Sequence, residues 1–206
     1  MPVFGASLIR YYTMFGIFHN MGLEFGVQQN YEGYEFKYNE ETGYRATESG
    51  AYAVTMKVPE AYFLSHFHMD MGEHFKLLIK LGVFGGYRNS ISRTLDDSFI
   101  GSEYEQYVNS FRDYDRRLTY GVQGGAGFGI MFSPVEFHVN AQVKWGWNSF
   151  WEPDYASKYY YRFAYPLDAA ITFGVYYQLS PRYGHSRSQL KKLARKMIRE
   201  QNENHD

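Results

Sequence analysis

Three groups of side chains in this sequence have types and spacings that could do chemistry. His66, His68 and Asp70 recur at every second residue, which sets all three on one face of a strand, with Glu73 and His74 just across the following turn. Imidazoles and carboxylates in that order could hold Zn²⁺ or Cu²⁺. The plainer reading is a wet turn carrying interfacial histidines. Glu136 and His138 share a strand face, and Ser133 precedes them, so the residue types of a hydrolase are present. Ser133 falls in a turn on the opposite phase, however, and general-base catalysis needs hydrogen-bond reach. A structural polar network is the reading preferred there. Gly124 to Gly129 (Gly-Gly-Ala-Gly-Phe-Gly) contains the glycine spacing of a nucleotide fingerprint, but it lies inside a strand pattern and no helix follows. It reads as close backbone packing. The chain has no cysteine, which excludes a thiolate metal site, a cysteine nucleophile and a disulfide scaffold. The expectation is a protein without catalytic residues and without a cofactor.

The elements that must position these residues are strands. The chain has 206 residues, one fifth of them aromatic, and aromatic residues favour strands. From Val135 to Asn148 apolar and polar residues alternate without an error: Val135, Phe137, Val139, Ala141, Val143, Trp145 and Trp147 on one face, Glu136, His138, Asn140, Gln142, Lys144, Gly146 and Asn148 on the other. A helix would scatter these residues round its axis. The same period runs through Leu118 to Phe132, Tyr165 to Leu179, Phe75 to Arg88 and Met21 to Gln28, and more noisily through Val3 to Thr13 and Tyr52 to Phe67, where Pro59 predicts a bend or bulge. Seven strands result. Their connections alternate in length. Turns fall at Met14, at His68 to His74 and at Ser133-Pro134; long polar or tyrosine-rich loops fall at Lys37 to Gly50, Thr94 to Arg117 and Ser149 to Ala164. Short turns at one end and long loops at the other are the pattern of an antiparallel up-and-down transmembrane β-barrel.

Mean hydropathy is −0.48, and no window holds the ~18 consecutive apolar residues of a spanning helix. That does not count against a barrel, whose strands alternate. The polar face is rich in glycine (Gly82, Gly121, Gly125, Gly127, Gly129, Gly174), which suits a cramped interior and points the apolar face outward. Within that lumen a polar network is expected: Lys76, Lys80, Arg88 and Lys144 pairing with Glu24, Glu136 and Asp168. An eight-stranded barrel is just wide enough for its side chains to fill, so a solute pore is not expected. Trp145, Trp147 and Trp151 near a long loop, with Phe128, Phe132 and Phe137 near a short turn, are expected to form the two aromatic girdles of a bilayer.

Seven strands leave an odd count, whereas single-chain bacterial barrels have an even one. The start, Met1 to Ile17, also lacks a basic n-region and carries Arg10 in its apolar stretch, so it is not a secretory signal. Both features are expected if a signal peptide and a first strand lie upstream and Met1 is an internal start, the full barrel then having eight strands. Three stretches carry a family resemblance: Val58-Pro59-Glu60-Ala61-Tyr62-Phe63-Leu64-Ser65-His66-Phe67-His68-Met69-Asp70, Leu81-Gly82-Val83-Phe84-Gly85-Gly86-Tyr87-Arg88 and Tyr120-Gly121-Val122-Gln123-Gly124-Gly125-Ala126-Gly127. In order and spacing they resemble strands of the PorT-like outer-membrane β-barrel proteins of Bacteroidota, over roughly Val3 to Leu179. The resemblance implies an eight-stranded barrel in the outer membrane and supplies no catalytic residues.

Residues 181–206 differ in kind. They carry seven Lys+Arg and three Asp+Glu, net +4, while the preceding 180 residues are net −5. Leu190, Leu193, Ala194, Met197 and Ile198 at helical spacing, among Arg187, Lys191, Lys192, Arg195, Lys196 and Arg199, predict either a basic amphipathic helix for an inner leaflet or periplasmic partner, or a solvated extension. The expected organisation is therefore a barrel over 1–180 and a helical tail over 181–206. The expected role is structural or interactive: lipid around the wall, a protein or glycan partner at the aromatic loops (Tyr104, Tyr107, Phe111, Tyr114, Tyr155), no nucleic acid. Two alternatives remain open, a soluble lipocalin-like barrel with an apolar ligand inside and a lipid-modifying barrel enzyme.

Overall fold

A computed structural model describes residues 2–14, 18–41, 44–45, 50–71, 74–132, 134–152, 164–179 and 193–198. Ten strands form in chain order: β1 (Phe4–Met14), β2 (Phe18–Glu35), β3 (Tyr38–Asn39), β4 (Tyr44–Arg45), β5 (Ala51–Met71), β6 (Phe75–Tyr87), β7 (Ser90–Leu95), β8 (Leu118–Phe132), β9 (Val135–Gly146) and β10 (Leu167–Tyr177). Eight of them make one antiparallel sheet, β7 pairing with β5 at its side; the other seven run in the order β1-β2-β5-β6-β8-β9-β10, curled into a half-barrel. These are the seven strands that the alternation predicts. The turns β1–β2, β5–β6 and β8–β9 share one end of the sheet, and the three long connections share the other.

Side chains sort by the pleat. Along β10 exposure alternates through all eleven residues. Phe4, Leu8, Phe63, Leu81, Phe128, Val143, Ile171 and Phe173 point out and are exposed, while Glu24, Lys76, Arg88, Glu136 and Lys144 point in and are buried. Arg10 interrupts the outer apolar face four residues before the end of β1. The fold thus has its polar side inside and its apolar side outside.

The strands are longer than the alternation alone predicts, and the sheet changes partner at Pro59. Strand β5 pairs with β6 from Glu60 to Met71 and with β7 from Ala51 to Lys57. Between them Arg88 and Asn89 are offset, and the Asn89 N–H donates to the Lys57 carbonyl at 3.0 Å. Proline has no N–H to give the ladder, so the pairing breaks beside it. The irregularity expected at Pro59 appears in the neighbouring strand.

Beyond that break β2, β5 and β7 continue past the barrel and carry a small apolar core. Val54, Met56 and Val58 of β5, Ile91 of β7, and Phe150 and Trp151 after β9 are buried together, with Tyr34, Phe111 and Tyr114 packed around them. This overturns two expectations. The segment Thr94 to Arg117 is not a plain loop: β7 ends inside it, and two 3-10 turns (Asp97–Phe99 and Glu103–Tyr107) follow. Trp151 is not a girdle residue, because it is 1% exposed inside this cap. Its nearness in sequence to Trp145 and Trp147 hid the inward turn of the chain after Asn148. Residues 193–198 are helical, and Leu193, Met197 and Ile198 are exposed there; the rest of the expected tail helix lies outside the described residues.

Candidate functional site: a tiered polar interior

The residues that could do chemistry converge on the inner face, in four tiers between the turn end and the loop end. Each tier is centred on one glutamate. At the turn end Glu136 of β9 pairs with Lys76 of β6. It also lies 3.0 Å from the His138 Nε2 and accepts a hydrogen bond from the Gln178 amide at 2.8 Å. Next, Glu24 of β2 is 2.6 Å from the Lys80 Nζ and 3.6 Å from the His66 Nδ1, and the Tyr176 hydroxyl donates to it at 3.4 Å. Above that, Glu60 of β5 pairs with Lys144 of β9 and accepts from Gln28 at 2.9 Å and Asn30 at 3.1 Å. Under the cap, Glu32 of β2 is 2.8 Å from Arg88 and accepts from Thr119 at 2.9 Å. The Arg88 guanidinium also donates to the Arg116 carbonyl at 2.7 Å and lies against the Phe150 ring at 4.9 Å.

The tiers follow from strand periodicity. Lys76 and Lys80 are four residues apart on β6 and Arg88 follows just after its end in the same phase, so all three point inward, one above another. Burying a carboxylate or an ammonium costs several kcal/mol, and the cost is met only by a close counter-ion with further hydrogen bonds. Each glutamate here has one cation and at least one other donor. Glycine makes the space. Gly129 stands directly between Lys76 and His138 in the sheet, and a Cβ there would press on the stem of one and the ring of the other. At Gly26 a Cβ would meet the Tyr62 ring.

The expected lumen residues are therefore brought together, with two partners corrected. Lys76–Glu136 and Lys80–Glu24 form as the sequence suggests. Lys144 takes Glu60 and Arg88 takes Glu32, while Asp168 lies 3.4 Å from the Asn30 amide. Glu60 and Glu32 were not legible as members. Glu60 follows the proline in the noisiest strand, and Glu32 lies beyond the clean alternation of β2, which ends at Gln28. A further buried pair, Arg93–Asp115 at 2.6 Å, ties β7 to the segment before β8.

The histidine group is also relocated. His66 and His68 lie within β5 with their rings on the inner face, not in a wet turn. Tyr11 lies between them, with ring centroids 5.5 and 4.9 Å away. Asp70 is half-buried one step further on, and the exposed His74 lies 3.3 Å from the Met131 carbonyl. Among the described residues no three His, Asp or Glu side chains converge as metal ligands. Glu73 and Ser133 lie outside the described residues. The His138–Glu136 contact is real, but Lys76 and Gln178 also hold that carboxylate. Gly124 to Gly129 lies within β8, as its pattern suggests.

Trp145, Trp147, Phe128, Phe132 and Phe137 are exposed on the outer face. Tyr120, exposed in the same way, meets Trp147 edge-on at 6.4 Å, and His74 stacks on Phe132 at 6.0 Å. Of the loop aromatics, Phe111 and Tyr114 pack on the cap core, and Arg112 lies over the Tyr107 ring at 4.6 Å. Tyr107 keeps an exposed edge; Tyr155 lies outside the described residues. No protein-family model, curated protein or solved structure matches this chain.

Proposed function

We propose that this chain is a small outer-membrane β-barrel protein with a structural or interaction role. The observation that carries the reading is the inverted polarity of the sheet: charged tiers inside, a predominantly apolar wall outside. Water-soluble monomers rarely expose apolar patches beyond a few hundred Å², and the outer face of the seven barrel strands is predominantly apolar, with Arg10 on β1 an exception. A lipid bilayer is the solvent in which such a wall is favourable. The height agrees. Between the aromatic residues Tyr120 and Phe132 of β8 lie Gly121 to Met131, and a tilted strand needs about 9–11 residues to cross the hydrocarbon core. A lipocalin-like carrier needs the opposite arrangement, with apolar residues around its ligand.

The interior supports a structural role over a chemical one, since its carboxylates are committed to cations and neutral donors. The three strand motifs resembling PorT-like barrels of Bacteroidota agree with this placement. The cap at the loop end offers a folded surface to a protein or glycan partner, with Tyr107 and Ile100 exposed beside it. The basic tail is assigned to the opposite, periplasmic side. Fractionation of cells that make the protein tests the reading. The protein is expected to stay with the outer membrane through alkaline carbonate washing and to need detergent for extraction. Recovery in the aqueous fraction would end it.

A further inference from the structure

At the loop end the outer wall carries two cations without a counter-ion. Lys57 stands on β5 between Met56 and Val58, both buried in the cap core, so the pleat turns its exposed side chain to the outer face. Its partner across the ladder on β2 is Tyr31. Arg117 is exposed and immediately precedes β8. Its guanidinium donates to the Tyr87 hydroxyl at 3.4 Å and lies over the Phe111 ring at 4.5 Å; Tyr87 is half-exposed at the end of β6. The two cations flank one short piece of chain. The Asn89 N–H donates to the Lys57 carbonyl at 3.0 Å, and the Arg88 N–H donates to the Arg117 carbonyl at 2.7 Å. Their backbones are therefore about two strand spacings apart, roughly 10 Å. Both stems are long enough to bring the charged heads onto one group between them. Arg45, Arg88, Arg93 and Arg116 at the same end each hold a carboxylate, at 2.6–3.1 Å. Among the described residues Lys57 and Arg117 hold none.

We propose that Lys57 and Arg117, with the Tyr87 hydroxyl, bind the phosphate of a lipid headgroup in the leaflet at the loop end. The surroundings favour a lipid over a soluble anion. On the turn side of the two cations the wall is apolar: Phe63 of β5, Val83 of β6 and Leu118 of β8 are about half exposed. Beside them Tyr120 and Trp147 meet edge-on, and rings of that kind settle at headgroup depth. An occupant that satisfies both surfaces needs acyl chains against the wall and an anionic head against the cations. A phosphate monoester carries about −1.5 to −2 charge and three acceptor oxygens. That is enough to meet an ammonium, a guanidinium and a hydroxyl together, and bonds from Arg or Lys to phosphate are charge-assisted. The Arg117 head is already held by Tyr87 and Phe111, so little of its freedom is lost on binding. The proposal rests on the membrane reading, since it needs this end of the wall to lie at headgroup depth.

The test uses the full chain in neutral detergent micelles. It is titrated with phosphatidic acid, with phosphatidylcholine of the same acyl chains, and with inorganic phosphate, and native mass spectrometry counts the lipids retained on the protein. With two cations engaged, phosphatidic acid is expected to bind about 30-fold more tightly than phosphatidylcholine. Lys57→Gln is expected to lower that preference about five-fold. Lys57→Gln combined with Arg117→Gln should abolish it, and Lys57→Arg should keep it. Arg45→Gln, at the same end but already paired with Glu35, should leave it unchanged. Equal binding of the two lipids by the unaltered chain would overturn the proposal. So would an equal loss in Arg45→Gln, which would mean diffuse charge, or displacement of the lipid by an equal concentration of inorganic phosphate, which would mean a soluble-anion site. A chain that stays with the membrane on fractionation but binds both lipids alike overturns this proposal alone; one recovered in the aqueous fraction overturns the membrane reading as well.

Discussion

At the scale of single residues, the interior is a set of buried ion pairs whose members depend on one another. Removing one partner strands a charge, whereas removing both leaves only a packing defect. Lys76→Met alone is expected to destabilise the fold by about 3–5 kcal/mol, since Glu136 then lacks its cation. Lys76→Met combined with Glu136→Gln is expected to recover most of that loss. Urea unfolding in detergent or lipid vesicles measures both, and equal losses for the single and double variants would refute the coupling. Gly129 gives a second prediction at this scale. Gly129→Val places branched carbons against the Lys76 stem and the His138 ring, and overpacking of this kind costs about 1–3 kcal/mol. Gly85, whose Cβ would meet nothing closer than 4.0 Å, is the comparison site where alanine should be tolerated.

At the scale of elements, the seven long strands were legible because a period of two is hard to counterfeit over a dozen residues, and Val135 to Asn148 shows it without an error. What was not legible depended on partners distant in sequence. Ser90 to Leu95 is too short to stand out, and only its pairing with Ala51 to Lys57 makes it a strand. The partners of Lys144 and Arg88 were misread for the same reason: periodicity fixes the face a side chain occupies but not the height of its neighbours across the barrel. Depth along a strand is itself testable. Ala126 and Ala141 are paired at mid-height on the outer face, and Leu118 lies at the loop end of β8. In a bilayer, Ala126→Arg is expected to cost about 2–4 kcal/mol and Leu118→Arg about 0–1 kcal/mol. Unfolding from vesicles reads the difference; a wall facing water would show no such gradient.

At the scale of the whole molecule, charge tiers are stacked from the turn end to a capped loop end, beside a cavity of about 1020 Å³ lined by β1 and β10. Arg88 lies beneath Phe150 at one end, and Lys76, Glu136 and Gln178 are joined at the other, so described side chains cross the interior at both ends. Protein reconstituted in planar bilayers is therefore expected to show no steady single-channel conductance. Discrete, voltage-independent steps would mean that the tiers part. The interior also bears on folding order. Glu24 of β2 draws partners from β5, β6 and β10, Glu60 of β5 from β2 and β9, and Glu136 of β9 from β6 and the residue after β10, so these tiers need strands distant in sequence, and isolated hairpins would carry unpaired charges.

The cap has a consequence for light. The chain has three tryptophans, and they occupy two environments: Trp145 and Trp147 lie about half exposed on the outer wall, while Trp151 is enclosed with Phe150 and Met56. Their fluorescence should therefore divide. Brominated acyl chains should extinguish the emission of Trp145 and Trp147, while Trp151 keeps a blue-shifted signal that neither lipid nor aqueous acrylamide reaches. Two colours from one unlabelled chain would then time the wetting of the wall and the closing of the cap as separate events.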